Sequence, residues 1–385
     1  MSELLERSPF DPASERSIVI IADWLPPDFG AVGQYMQIRA RSFAEHGHDV
    51  TLIGLSSTSP SQTHEIVGAG SLTEIRLAAR PVPRGSLMSR LVWTIWTNLR
   101  LVWRGLGPLR AAGGILFTGS PPFLIHLLVP LKWLWKGRLV YRITDFHPEC
   151  LIAAREGRSR PLEALLKLTN LWRRHVDGFE VLGEDQLRRL LDTGIAQDRI
   201  SLVRDGSPVA FAPGQAPEPV PEDLAGYCVL LYSGNYGVAH EVETVFEGYR
   251  QHHQGGTGRV RLWLSAAGSG TDELVRRFTA ANLPYHRSAP IPLERLAGLL
   301  VSPDAHLVAL KDSFVGFVMP SKIYACIASG RPIVFVGSNS SDVDLLTRRA
   351  KLPYWRVPCG NPAHFAAALE DLADKSGKSS PLPPP

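Results

Sequence analysis

The chain of 385 residues is poor in cysteine, holding only Cys150, Cys228, Cys326 and Cys359, set far apart with no CxxC pair and no Cys/His cluster. A disulfide framework needs dense pairs and a structural zinc needs ligands at short fixed spacings. Neither is expected, nor any bound metal, and the four read as reduced, mostly buried thiols. Long apolar runs are also missing. The longest, Phe123 to Trp135, contains His126, Pro130 and Lys132 and falls short of the roughly 20 apolar residues that a membrane-spanning helix needs. The first residues, MSELLERSPFDPASER, carry charges and no apolar segment, so no secretory signal is read and a cytoplasmic chain is expected. Excess charge is small: 41 Lys and Arg against 37 Asp and Glu leave a formal net charge of +4. That balance does not argue for nucleic acid, and no nucleic-acid recognition motif is found. The GxGxxG fingerprint is absent, which weighs against a dinucleotide cofactor.

What is present is an ordinary globular composition, 44% apolar and 20% charged, in a chain long enough for two α/β domains. Short β-branched runs alternate with helical patterns. Strands are expected at Ser17–Asp23, Asp49–Leu55, Gly114–Thr118, Arg138–Ile143, Gly178–Leu182 and Arg199–Val203. Val32, Met36, Ala40 and Phe43 recur at helical spacing between the first two. Residues 207–226, SPVAFAPGQAPEPVPEDLAG, are rich in proline and read as an interdomain linker. The rhythm restarts at Tyr227 with the strand CVLLYS, a helix marked by Val242, Val245, Phe246 and Tyr249, and strands at Val260–Leu264, His306–Leu310 and Pro332–Val336. Such βαβ alternation implies mostly parallel, doubly wound sheets. The expected plan is a flexible stretch 1–16, a Rossmann-like domain 17–206, the linker, and a second Rossmann-like domain 227–374 whose last helix can pack back on the first. A disordered tail, 375–385, completes it.

Three turns carry candidate chemistry. The first strand runs into WLPPDFGAVGQ, where Gly30 and Gly33 let a backbone approach a helix N-terminus closely. Free N–H groups there suit a diphosphate or sugar, although a plain tight βα turn explains the glycines equally. YSGNYGVAHE repeats the plan with Gly234, Asn235 and Gly237, and places His240 where it can donate to a phosphate or stand exposed before a helix. GFVMPSKIYACIASGRPIVF sets Gly316, Ser321 and Lys322 at the head of another helix. Ser321 can cap it. A lysine at that end is disfavoured by the helix dipole, a cost that a bound diphosphate would relieve. Ligands of such sheets bind outside the carboxyl ends of the strands, so one nucleotide sugar shared by the two halves is expected.

These segments resemble the family-four group of retaining GT-B glycosyltransferases, and most of all its bacterial exopolysaccharide, capsule and O-antigen branch. The likeness runs from Ile18 to about Ala367. PPDFGAVGQ with RSFAEHGHDVTLIGL matches the opening glycine loop and strand of the family, and YRITDFHPE matches an RDxxPE-like segment at Asp145, Pro148 and Glu149. YSGNYGVAHE matches a YSGNxGxAH turn, and HLVALKDSFVGFVMPSKIYACIASGRPIVFVG matches the long block around PSK. The resemblance implies a GT-B fold and a nucleotide-diphospho-sugar co-substrate with no other cofactor and no required metal. It places Lys322 and the Asn235–His240 turn on the donor diphosphate, with Gly33 facing that diphosphate from the other domain. Asp145 falls on the acceptor side, where Asp145 or His147 would orient or deprotonate the acceptor hydroxyl. An alternative for Asp145 is a helix cap before Pro148, and Glu149 reads as a first-turn helix acid. One departure stands out: two acids that many members carry eight positions apart are missing, the second position holding Ala325.

Residues 84–110, RGSLMSRLVWTIWTNLRLVWRGLGPLR, contain no acid. On a helix, Leu87, Leu91, Ile95, Leu99 and Val102 share one face, and Arg90, Trp93, Trp96, Arg100, Trp103 and Arg104 gather on the other. Tryptophan with arginine suits an anionic membrane surface, and LKWLWKGR (131–138) has the same character. A peripheral enzyme on the inner face of the plasma membrane, extending a lipid-linked saccharide, is therefore expected. The alternatives are a catalytically silent GT-B subunit that binds a partner enzyme, for which Ala325 speaks, and a nucleotide-sugar epimerase. Asp342-Val343-Asp344 imitates a DxD metal site but reads as a surface pair at a helix start.

Overall fold

The protein is described here by a computed structural model covering residues 9–28, 30–80, 87–155 and 157–378. It divides into two compact units, one ending at Asp205 and the other beginning at Gly206, and each is a parallel-sheet α/β domain.

The first unit holds β1 (Ser17–Trp24), β2 (Asp49–Ser56), β3 (Ser61–Val67), β4 (Gly70–Ala78), β5 (Gly114–Thr118), β6 (Arg138–Ile143), β7 (Gly178–Val181) and β8 (Ile200–Leu202). Their order is β3-β4-β2-β1-β5-β6-β7-β8. All neighbours are parallel except β3 and β4, which pair antiparallel. The continuous apolar run Ile18–Ile21 is buried on both faces of the sheet, as a central parallel strand requires. The β3–β4 pair was not among the expected strands. β3 reads SQTHEIV and is exposed except at Val67, the polar profile of an edge strand that resists pairing with other chains.

The helix Ala31–Glu45 buries Met36, Ala40 and Phe43, the positions that share a face at helical spacing. A Cβ on Gly33 would lie 1.8 Å from the Trp24 carbonyl oxygen. Glycine therefore seats the first turn of this helix directly on the end of β1. The opening residues are less free than expected, since Phe10 is buried in this core.

A buried ion network ties the layers together. Arg39 of that helix donates to Glu180 of β7 at 2.8 Å, Arg142 of β6 donates to the same carboxylate at 2.8 Å, and Arg142 also reaches Asp205 at 2.5 Å. Burial opposes ionisation of Glu180, but the two guanidinium charges outweigh it and hold the carboxyl below its ordinary pKa.

The second unit holds β9 (Cys228–Asn235), β10 (Val260–Ala267), β11 (Tyr285–Ser288), β12 (Ala305–Ala309), β13 (Ile333–Val336) and β14 (Tyr354–Val357). They stand in the order β11-β10-β9-β12-β13-β14, and all neighbours pair parallel. The proline-rich segment 207–226 is no free linker. Val209 and Phe211 pack on the Leu231–Trp263 cluster, and the Glu218 N–H donates to the Gly298 carbonyl at 3.1 Å. The last helix, Pro362–Ser376, places Phe365, Leu369 and Leu372 in the core of this unit beside Tyr249. Its apolar face is thus satisfied within the second unit. Lys378, assigned above to a disordered tail, reaches Asp304 at 2.7 Å, and the rest of that tail lies outside the described residues. The Asp342–Asp344 pair begins a helix as expected, yet both residues are buried rather than at the surface, because Asp344 accepts from Arg348 and Tyr354.

Glu180→Gln leaves two buried guanidinium groups short of a counter-charge. We expect it to destabilise the protein by about 3–5 kcal/mol. Urea denaturation checks this, and an unchanged midpoint would contradict it.

Candidate active site

Both sheets have a switch point, where the chain leaves the central strand and returns on its other side. In the first unit it lies between β1 and β5, and in the second between β9 and β12. Carboxyl-end loops diverge there and leave a crevice.

In the second unit the crevice is built on aromatic rings. Tyr232 and Tyr236 lie with centroids 4.2 Å apart, and His240 stands edge-on to both. Gly234 (φ 102°), next to last in β9, and Gly316 (φ 77°), in the loop after β12, adopt left-handed backbone, which other residues reach only with strain. The Nζ of Lys322 sits 3.2 Å from the centroid of the Tyr232 ring and is buried with no hydrogen-bond partner among the described residues. Burial holds its pKa well below the ordinary lysine value. The sequence places this lysine at the helix head correctly. Its side chain, however, folds back onto the ring below β9.

His240 is buried, not exposed. Its Nδ1 lies 2.6 Å from the Ala309 carbonyl oxygen at the end of β12, so Nδ1 carries the hydrogen and Nε2 the lone pair. Burial, then the nearby charge of Lys322, pushes its pKa down to about 3. In the ligand-free protein the neutral ring presents a lone pair at Nε2, and an anion bound there would raise its pKa and allow Nε2 to donate. Ser321 occupies the N-cap position of the helix Lys322–Ala328, but its side chain makes no capping bond. Asn235 is exposed, its Oδ1 2.3 Å from where a Cβ on Gly268 would stand. A cavity of about 340 Å³ adjoins these residues, lined by Gly237, His240, Glu241, Ser269, Arg277 and Lys311.

In the first unit, Asp23 closes β1 and its Oδ2 accepts from the Ser120 hydroxyl at 2.6 Å, across the switch point. The backbone of Gly119 lies against that of Asp145, whose carbonyl oxygen would be 2.8 Å from an added Cβ. Burial pushes the Asp145 carboxyl up to about 6. It also pushes Asp23 up to about 6, the Ser120 bond opposing this and the Asp145 charge adding to it. The capping role for Asp145 fails: Pro148 is the N-cap of the helix Glu149–Ala153, and no side chain caps it. Glu149 is buried and takes both guanidinium nitrogens of Arg173. The Nδ1 of His147 is buried without a partner among the described residues, and burial lowers its pKa to about 4. Sequence reasoning missed Asp23 and Tyr232. The signal for Asp23 was an acid ending an otherwise apolar strand.

The helix Leu87–Arg104 departs in part from expectation, because three residues of the expected inner face, Leu91, Ile95 and Leu99, also face solvent. Thr94, Thr97, Asn98, Leu101 and Val102 are buried, whereas Leu91, Val92, Ile95, Leu99, Trp96 (63% exposed) and Trp103 (80%) face solvent. Backbone oxygens beneath it decide this. Trp93 donates to Arg80 at 3.0 Å and stacks on Trp24, Arg100 donates to Ala78 at 2.9 Å, and Asn98 donates to Pro122 at 2.8 Å. Trp93 and Arg100 therefore leave the set of outward residues. Arg90, Trp96, Trp103 and Arg104 remain exposed, the last reaching Gln62 at 2.9 Å. Among the described residues, no helix is long and apolar enough to cross a membrane, and no cluster of three metal-ligating side chains forms.

The sequence matches no established family profile. It is 20% identical over 278 residues to the probable glycosyltransferase WbjE of Pseudomonas aeruginosa, covering 68% of this chain; the match spans 66% of the length of that relative, just under two thirds. Among solved structures, Anabaena HepE in complex with UDP and glucose matches with a TM-score of 0.61 at 12% identity, covering 94% of this chain and 91% of that one. WaaG, a glycosyltransferase involved in lipopolysaccharide biosynthesis, matches with a TM-score of 0.60 at 13% identity, covering 93% and 91%. The chain has the GT-B fold of these proteins.

Because the fold binds the protons of Asp23 and Asp145 more tightly than the unfolded chain does, this linkage favours folding at low pH and is lost as pH rises through about 6. Asp145→Asn should therefore be more stable than wild type by on the order of 2 kcal/mol near pH 8, with the gain vanishing near pH 4. Denaturation midpoints across that range check it; no gain at the higher pH would contradict the buried-carboxyl assignment.

Proposed function

We propose that the chain is a glycosyltransferase that moves a sugar from a nucleotide-diphospho-sugar to a lipid-linked or similar saccharide acceptor in cell-surface polysaccharide synthesis. The observation that carries this reading is Lys322, a buried amine without an anion at the switch point of the second sheet. A diphosphate seated there would favour the charged forms of both Lys322 and His240. Gly234, Asn235, Gly316 and Ser321 belong to the same carboxyl-end loops, and Gly33 offers a helix N-terminus in the first unit. The names of WbjE and WaaG and the ligands of HepE agree with this class of reaction.

In the transfer step the bond between the anomeric carbon and the diphosphate oxygen breaks, and the acceptor oxygen bonds that carbon. Lys322 and protonated His240 stabilise the charge that develops on the leaving diphosphate. Asp145, with a pKa of about 6, orients or deprotonates the acceptor hydroxyl, a pKa suited to that task. His147, at about 4, acts as a neutral orienting group. Retention of the anomeric configuration and independence from metal are part of this proposal.

The outward apolar face of Leu87–Arg104 supports a peripheral position on the inner face of the plasma membrane. Leu91, Ile95, Trp96, Leu99 and Trp103 enter the interface, with Arg90 and Arg104 meeting anionic headgroups. One observation favours the silent-subunit reading: Ala325 lies in the apolar cluster with Leu299 and Leu300, where the family places an acid.

Purified protein should gain about 5 °C or more in melting temperature from one class among UDP-, GDP-, ADP- and dTDP-sugars at saturating concentration. Lys322→Met should abolish the gain without loss of fold. No gain with any of the four would return the silent-subunit reading. In a second test, Trp96→Ser with Trp103→Ser should weaken sedimentation with phosphatidylglycerol vesicles at least about tenfold; equal binding would remove the membrane assignment.

A further inference from the structure

Three buried polar atoms without a hydrogen-bond partner among the described residues lie near the carboxyl ends of β1 and β6, which flank β5: Asp23 Oδ1 in β1, and Thr144 Oγ1 and His147 Nδ1 just beyond β6. The strands that bring them together are β1, β5 and β6, paired in register as Ile21 with Phe117 and Thr118 with Arg142. The Gly119–Ser120 turn joins the set. Ser120 holds Asp23 by the other carboxyl oxygen at 2.6 Å. A Cβ on Gly119 would stand 3.1 Å from Thr144 Oγ1 and 2.8 Å from the Asp145 carbonyl oxygen, so only glycine leaves this floor open. Buried polar atoms are nearly always paired, and leaving one unpaired costs roughly 1–3 kcal/mol. Asp23 Oδ1 and Thr144 Oγ1, both bordering the Gly119–Ser120 turn at the switch point, mark a place where a polar ligand completes the bonds.

We propose that Asp23 and Thr144 form a hydroxyl-recognising subsite for a saccharide, Asp23 Oδ1 accepting from one sugar hydroxyl and Thr144 Oγ1 bonding its neighbour. This rests on the glycosyltransferase reading, in which the saccharide is the acceptor whose reacting hydroxyl meets Asp145. The chemistry selects a neutral polyol. A phosphate is disfavoured because Asp23 meets it with like charge, with the charge of Asp145 nearby, and an apolar group would leave Asp23 Oδ1 and Thr144 Oγ1 unpaired. Asp23 Oδ1 also stands 3.9 Å from the Cβ position of Gly30, so the glycine turn before the helix Ala31–Glu45 borders this subsite.

Saturation-transfer NMR with the methyl glycosides of glucose, galactose and mannose tests the proposal on the full chain. Wild type should show transfer from at least one glycoside. Asp23→Asn keeps the Ser120 bond through its amide oxygen but puts a donor where the acceptor was, and should weaken binding about tenfold. Thr144→Val removes an unpaired hydroxyl, so it should fold at least as stably as wild type while binding the glycoside about three- to tenfold more weakly. A merely structural role for Thr144 predicts no change in glycoside affinity. Wild-type affinity in both variants, or no transfer to wild type from any of the three glycosides, overturns the proposal. Failure of the glycosyltransferase reading is separately visible, as loss of all nucleotide-sugar stabilisation with glycoside binding intact.

Discussion

An amine buried on an aromatic ring with no anion opposite it is the constraint around which the second unit is arranged. Lys322 Nζ lies 3.2 Å from the Tyr232 centroid, and its position depends on the loops after β9 and β12. Removing an ammonium from water costs several kcal/mol when nothing compensates. The first unit shows what compensation looks like: Arg39, Glu180, Arg142 and Asp205 are as deeply buried, yet each charge meets its opposite at hydrogen-bond distance. The contrast separates a structural ion network from a site held short of a partner. A ring face can carry a lysine, but it does not replace the carboxylates that the arginines enjoy.

The two units solve one geometric problem in two ways. Each has a crevice at its switch point, and each spans it with a side-chain bond. In the first, Asp23 takes the hydroxyl of Ser120; in the second, His240 binds the Ala309 carbonyl. These bonds fix the carboxyl-end loops and leave one functional atom free, Oδ1 in the aspartate and Nε2 in the imidazole. The first crevice is lined by carboxyls and hydroxyls, which suits neutral polyols. The second is lined by amine and imidazole, which suits an anion. A nucleotide sugar and a saccharide acceptor need that pair of environments.

Much of this was legible in the sequence. The apolar runs that became β1, β5, β6, β9 and β13 are buried on both faces, so their identity follows from composition. The strands that escaped notice, β3, β4, β11 and β14, lie toward sheet edges, where Ser, Thr, His and Arg can replace buried aliphatics. Lys322, His240 and Asp145 could be picked out by spacing, but their protonation could not, because burial arises only when distant strands meet. Asp23 escaped for the same reason: its partner Ser120 is far along the chain. The outward set of Leu87–Arg104 was only partly legible, because helical periodicity shows that two faces exist and not how much of each the domain covers. Backbone oxygens at Ala78, Arg80 and Pro122 claimed the Arg100, Trp93 and Asn98 face, and the leucine face was left outward.

The central claim, that Lys322 waits for a diphosphate, has a direct thermodynamic signature. Burial lowers the pKa of the Lys322 amine, and an anion bound beside it raises that pKa again, so anion binding is linked to proton uptake at this group. Calorimetric titration with the best-bound of UDP, GDP, ADP and dTDP, in buffers of different ionisation enthalpy near pH 8, measures that uptake. The account predicts greater proton uptake on binding to wild type than to Lys322→Met. Tight nucleotide binding with no proton uptake, or with the same uptake in the variant, would contradict it.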